Sequence, residues 1–409
     1  MLPLEQLPSR APGAGYRQLA GVRILDLTTS IAGPYATMLL ADMGAEVIKI
    51  ERPGSGDDCR AWGPPFLDGE SLWFQSVNRN KASVTLDYGK PEGRAVFEAL
   101  VAKCDVVVVN LVERVQRKLG IDHATLAKIR GDIVHLSLTG FGLDGERRDR
   151  PCYDLIAEGY SGIMDITGAA DSEPQKVGTP AADLLSGMDA AFAIACALHE
   201  RKTSGKGCRI DISMIESMTR FLAPRIVPYL GSGDVPKRTG ARDSVISVYR
   251  TFDTADEPIT LGLGNDNIWK RFWVAVGEPA VGEDPRYETN AKRNAVRPEI
   301  YARIETLLRS RPRAEWLDLF TTHNVPAGPV NRVDQVAQDP ELLARGFLYN
   351  AEAGERRIPQ VGLGIRIDGA DAGYRTPPPR LGEQTESVLR DLLGYDTAAI
   401  DALRAAKSI

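Results

Sequence analysis

Val22-Arg-Ile-Leu-Asp-Leu27, Thr28-Thr-Ser-Ile-Ala-Gly-Pro34, Tyr35 to Met43 and Glu46-Val-Ile-Lys-Ile-Glu51 form the stretch that decides the fold. Residues 22–27 read as a buried strand. A turn of small residues follows, then an apolar helix, then a second strand ended by Arg52-Pro-Gly-Ser-Gly56. The unit recurs downstream. Pro91 opens a helix over 91–103, because proline is tolerated where the first helical N–H groups lack partners anyway. Asp105 to Val109 is nearly all valine, the pattern of a parallel strand covered on both faces. Residues 132–138 read as another strand. This alternation predicts a doubly wound, Rossmann-like α/β domain on a parallel sheet.

The large domain's N-terminal part spans 19–214. Its last pieces are a helix over 183–203, closed by Arg201-Lys202 and the glycines at 205 and 207, and a strand over 208–214. Residues 215–245 read as a linker, helical to about 230. A smaller α+β domain is expected over 246–324, with strands near 247–252 and 258–263 and helices near 269–276, 298–310 and 313–322. Residues 325–409 are expected to be a linker and the C-terminal part that completes the large domain, including a helix over 384–394. Residues 1–18 carry no basic stretch followed by an apolar one, so they read as a loose N-terminal arm rather than a secretory signal.

Composition excludes several classes. The 409 residues are 43% hydrophobic and 26% charged, ordinary for a globular enzyme. A formal net charge of -5 argues against a general nucleic-acid binder, which shows a basic excess. No run reads as apolar for long enough to span a membrane. The five cysteines are odd in number and lack CxxC spacing, against a disulfide framework or a metal site and for a reducing cytoplasm. With four histidines, His-centred chemistry has few candidates.

The segment Asp26 to Pro34 sets small residues before a helix, whose N-terminus offers free N–H groups to an anion or oxyanion. The same pattern serves as a tight strand–helix turn. GxGxxG is absent. Arg52 follows the second strand, where an arginine suits a ribose phosphate; Glu51 beside it is compatible with a ribose hydroxyl. Asn110, Arg114 and Lys118 follow the valine-rich strand and could meet phosphates or form a solvated face. Asp154 suits the N-cap of a helix over 155–161. Asp183 follows small residues and opens an Ala-rich helix. It reads either as another N-cap or as a nucleophile whose charge the helix dipole favours.

Taken together, the motifs LAGVRILDLT (19–28), AGP (32–34), GAEVIKIERPGSGD (44–57), NRNKASVTLD (78–87), SLTGFGLDG (137–145) and GKGCRIDISM (205–214) resemble the class III CoA-transferase family. The resemblance runs from about Leu19 to Leu393. It implies coenzyme A thioesters as substrates, no metal, and a dimer of interlocked rings; some members pair two different subunits. It implies Asp183 as the nucleophile, forming a mixed anhydride and then an enzyme–CoA thioester. Ile31 and Ala32 would lie at the thioester, where backbone amides can hold an oxyanion. Arg52, Leu86, Asn110 and Lys118 match CoA-contacting positions, and Tyr153 would line the acyl pocket.

Two departures narrow the expectation. Ile31 stands where formyl-CoA transferase has glutamine, which argues against a small oxalate-type substrate. Thr139 stands where several members carry lysine, which removes a phosphate contact. The racemase branch has histidine where this chain has Tyr153, and a tyrosine is a poor base at neutral pH. The segments 157–168 and 238–244 look most similar to succinyl-CoA-dependent enzymes acting on dicarboxylic acids, with Arg238 and Arg242 as candidates for a distal carboxylate. Transfer between two molecules and transfer within one stay open.

Overall fold

The computed structural model describes residues 3–371 and 373–409. It is mixed α/β, and its centre is a six-stranded sheet: β1 (Arg23–Asp26), β2 (Glu46–Glu51), β3 (Lys81–Thr85), β4 (Val106–Val109), β5 (Val134–Thr139) and β6 (Cys208–Ser213). All neighbours pair in parallel, in the order β3-β2-β1-β4-β5-β6. This is the doubly wound order, in which the chain reverses its direction of travel between β1 and β4. The four valines of β4 are all fully buried, because helices cover both faces of a central parallel strand.

Helix α1 (Ala32–Asp42) links β1 to β2, and α2 (Pro91–Lys103) links β3 to β4. Two short helices, α3 (Glu113–Leu119) and α4 (His123–Ile129), lead to β5. Between β5 and β6 come α5 (Asp154–Ser161) and the 24-residue α6 (Ala181–Ser204). Gly205 ends α6 in the left-handed conformation at φ 68°, where a side chain would be strained. After β6 the helical stretch expected over 215–230 is two helices, α7 (Met214–Phe221) and α8 (Ala223–Ser232). Helix α1 begins at Ala32, three residues before the apolar pattern, because Pro34 fits a first turn that needs no N–H from it.

By contacts the chain forms two units: residues 1–163, 176–232 and 339–409, and residues 164–175 and 233–338. The second has its own core, supplied by residues 248–325. Its strands β7 (Tyr249–Phe252), β8 (Ile259–Gly262) and β9 (Ala327–Pro329) pair antiparallel. They accompany α9 (Asp266–Ala275), α10 (Arg297–Leu308) and α11 (Arg313–Thr322). In the first unit, β10 (Leu348–Ala353) and β11 (Arg356–Val361) form a hairpin. The final helix, α12 (Thr397–Ala405), sends Ile400 and Leu403 into the core shared by β1, β2, β4 and α2.

Two expectations need correction. The N-terminal arm is not loose: Ser9–Arg10 pairs in parallel with Asn350–Ala351, and Tyr16 donates its hydroxyl to the carbonyls of Ile365 and Ala370. Among the described residues one run is also long and apolar enough, by length and composition alone, to cross a bilayer: α6. Its apolarity serves packing, since α6 lies against α1, β5, β6, α5 and α7.

Candidate active site

A cleft of about 320 Å³ opens outside the carboxyl ends of the strands, at the switch point between β1 and β4. Ligands of doubly wound sheets bind at this place. Thr29, Ser30 and Ala32 line it from the β1–α1 loop, and Asn110 to Val112 from the end of β4. Thr139 and Gly140 contribute from β5, and Cys152, Tyr153 and Asp183 close it.

Asp183 is the third residue of α6, and close helix packing brings it here. Gly187, one turn on, rests on α1: a methyl group in its place would stand 2.7 Å from the Ala32 carbonyl oxygen. A second close approach sits at Gly33, where a methyl would stand 2.4 Å from Thr28 Cβ. The small residues thus let the N-termini of α1 and α6 converge. The N–H groups of Ala32 and Gly33 have no acceptor among the described residues, and Ala32 lines the cleft together with Asp183. Burial, and then the negative charge of Asp154, push the Asp183 carboxyl up to about 7. Burial also pushes the Cys152 thiol up, to about 11, so it stays protonated at neutral pH.

Asp154 caps a helix other than its own, against the expectation from sequence. Tyr153 holds the N-cap position of α5 without a side-chain bond. The Asp154 Oδ1 instead accepts the N–H groups of Ala182 at 2.8 Å and Asp183 at 3.3 Å, capping α6 from a distance.

The loop before α1 rests on buried charges that the sequence reading missed. Lys49 pairs with Asp57 at 2.8 Å, and Lys81 with Asp26 at 3.1 Å, all four side chains fully buried. Lys49 donates to the Thr28 carbonyl, and Asp57 Oδ1 accepts the Ser30 N–H. Burial works against the charge of Asp26, but Lys81 and Lys49 outweigh it and hold that carboxyl well below its usual range. A lysine amid the apolar residues of β2 was the available signal, since a buried charge requires a partner.

The remaining candidates divide by location. Ile31 is buried against Cys59, Phe74 and Val77, with Leu184 beside it, and is not among the residues lining the cleft. Asn110 spends its amide on Thr29, accepting the N–H at 3.2 Å and donating to the carbonyl at 2.8 Å, so it holds the loop. Tyr153 is 66% exposed. Arg52 is exposed and ion-paired with Asp58, itself a cleft residue. Leu86 lies in the core and Lys118 on the surface; neither lines the cleft. Glu51 is committed to Arg60 and Ser83, which removes it from any ribose. Arg238 and Arg242 belong to the second unit, where Arg238 pairs with Asp165 at 3.1 Å and Arg242 donates to the Thr239 carbonyl. Arg150, not singled out from sequence, lines the cleft and donates to the Tyr160 hydroxyl.

Fold and cleft define a doubly wound α/β protein with a carboxyl group at its switch point, and comparison with known proteins gives the family. Residues 19–385 match the profile of CoA-transferase family III. A succinate–glutarate CoA-transferase of Agrobacterium fabrum is 37% identical over 396 residues, covering 95% of this chain and 98% of that protein. An acetyl-CoA:oxalate CoA-transferase of Acetobacter aceti is 36% identical, covering 91% and 95%. Among solved structures, a CAIB/BAIF family protein from Brucella suis superposes with a TM-score of 0.81 at 35% identity, covering 91% of this chain and 99% of that one. This chain belongs to CoA-transferase family III and is a CoA-transferase.

Proposed function

We propose that the protein moves coenzyme A from succinyl-CoA to a dicarboxylic acid of about glutarate's size, with Asp183 as the covalent nucleophile. One observation carries the reading: the Asp183 carboxyl shares a cleft with Ala32, whose N–H at the start of α1 has no acceptor among the described residues. Acyl-CoA is here a substrate rather than a resident cofactor. The relative that acts on glutarate supports the acceptor class. Ile31 lacks the amide expected for oxalate, yet one relative of comparable identity is an oxalate enzyme, so oxalate belongs among the acids tested.

Asp183 attacks the thioester carbonyl. The oxyanion takes the N–H groups of Ala32 and Gly33, and its collapse expels CoA thiolate and leaves a mixed anhydride. The thiolate attacks the aspartyl carbonyl, releasing succinate and leaving CoA as a thioester on Asp183. The acceptor carboxylate attacks that thioester to give a second anhydride and free thiolate. The thiolate then attacks the acceptor's acyl carbon, and the Asp183 carboxylate leaves. Each step breaks one acyl bond for one formed, with no net proton change. The helix N-termini hold the charge at each stage.

Arg52 and Arg150 are proposed to meet CoA phosphates, with Leu86, Asn110 and Lys118 shaping that side. Arg238 and Arg242 are proposed for the distal carboxylate, and Tyr153 for the acyl chain. None of the four histidines lines the cleft, which favours transfer over α-proton exchange. A second copy of the chain is the proposed partner. Exposed Leu155 and Ile156 of α5, Met188 and Phe192 of α6 and Phe221 of α7 offer it apolar surface. The compartment proposed is a reducing cytoplasm, which suits five free thiols.

The test is incubation with succinyl-CoA alone, then with glutarate, oxalate and mesaconate, following every thioester by mass spectrometry. The expected result is a CoA adduct on the peptide holding Asp183, glutaryl-CoA on addition of glutarate, and neither from Asp183→Asn. Normal turnover by that variant would remove Asp183 from the chemistry.

A further inference from the structure

Glu158 lies one turn after Asp154 on α5 and is fully buried. Its Oε2 accepts the Val177 N–H at 2.8 Å, which ties down the segment leading into α6. Its Oε1 has no donor. The nearest negative charge acting on it is Asp154, one turn earlier on the same helix. A buried carboxyl oxygen without a donor is costly when ionised, and a proton on Oε1 would supply a donor for Asp154. Asp154 already takes two N–H groups at the start of α6. Glu158 takes one N–H and is otherwise enclosed, so the proton resides on Glu158.

We infer that Glu158 is a positioning residue for the transferase reaction: as a neutral acid it donates to Asp154, and so fixes the first turn of α6 that carries Asp183. Glu158 does not line the cleft, so it touches no substrate. The strap runs from the Val177 N–H through Glu158 and Asp154 to the N–H groups of Ala182 and Asp183. Charged groups around it are few. Asp154 and Lys176 act on Glu158 directly, the first against its charge and the second for it. Asp183 faces Asp154 from α6. On α7, which packs against α5, Arg220 is paired with Asp189 of α6 and Glu216 is exposed. Burial acts first and Asp154 adds to it, raising the Glu158 carboxyl above its usual range.

The inference rests on Asp183 as nucleophile, and its test separates the two. Glu158→Gln keeps one acceptor and one donor; Glu158→Leu keeps neither. At pH 7, Glu158→Gln is expected to hold kcat within about twofold of wild type. Glu158→Leu is expected to lose kcat by about tenfold or more, with KM for succinyl-CoA unchanged. Wild type should lose activity at alkaline pH as Glu158 ionises beside Asp154, and Glu158→Gln should lack that decline. Independently of turnover, infrared difference spectra should show a buried protonated-carboxyl band in wild type that is missing from Glu158→Gln. Glu158→Gln as inactive as Glu158→Leu, or a wild-type-minus-variant infrared difference without that band, overturns the neutral-acid assignment. Normal kcat in a folded Glu158→Leu overturns the positioning role. Full activity of Asp183→Asn, run alongside, would instead strike at the nucleophile.

Discussion

At the scale of the residue, the decisive property of Asp183 is the cost of its charge. On the proposed mechanism its carboxyl, raised to about 7 by burial and then by Asp154, must ionise to attack. The kcat/KM for succinyl-CoA is therefore expected to rise with pH through about 7 and then level, until the decline assigned to Glu158. Asp154→Asn removes the nearby charge and should move the rise to lower pH, read from the pH–rate profile. Stability follows the opposite sign. A carboxyl whose pKa is raised on folding penalises the folded state once ionised. The penalty is absent below about pH 4, grows toward pH 7 and is complete above it. Asp183→Asn should accordingly unfold later than wild type at pH 8, by about 1–3 kcal/mol after allowance for partial exposure, and equally at pH 4. Thermal unfolding at the two pH values checks this. The place of Asp183 at the start of an apolar helix was legible from the small residues before it. The cap from Asp154 was not, since it joins residues 28 and 29 apart in the chain, and local pattern predicts only local caps.

At the scale of the element, the cleft depends on how closely two helices approach. Gly187 lies against the Ala32 carbonyl, and that atom is backbone, so it cannot rotate aside. In an exposed helix, glycine to alanine would be worth about 1 kcal/mol of stability. Here Gly187→Ala should separate the N-termini of α1 and α6 and lower kcat by about tenfold to a hundredfold, because small displacements of reacting groups are costly. Steady-state kinetics test it, with circular dichroism to show that the fold persists; unchanged kcat would mean that the helices can part without harm. The strand–helix alternation was readable because each period belongs to one element. The buried set of Asp26, Lys49, Asp57 and Lys81 was not, because a charge in a strand gives no sign of which distant partner neutralises it. The start of α1 shifted for a related reason: apolar periodicity marks the face a helix buries, whereas its first turn is set by backbone bonding around Pro34.

At the scale of the whole molecule, the parallel sheet and its order follow from β-α-β spacing, since a crossover between parallel strands leaves little choice of hand. The hairpin β10–β11 was not foreseen, and neither was the pairing of Ser9–Arg10 with it; such contacts join ends of the chain that no local pattern relates. Leu403, on α12, is buried in the same core as β1 and β4. Leu403→Ala should destabilise the first unit by about 2–4 kcal/mol, and the loss should appear in urea unfolding followed by hydrogen exchange within β4. Exchange in α9 to α11, whose core is separate, should be unaffected.

The placement of α12 also bears on biosynthesis. A ribosome makes β1 long before Ile400 and Leu403, yet these side chains share one interior. Until α12 has emerged from the exit tunnel, the sheet's core lacks that cover and offers apolar surface to chaperones. The second unit, whose interior draws on residues 248–325 alone, can close while translation continues. The nascent chain is thus expected to fold from its middle outward, with the sheet unit completed only once α12 has emerged.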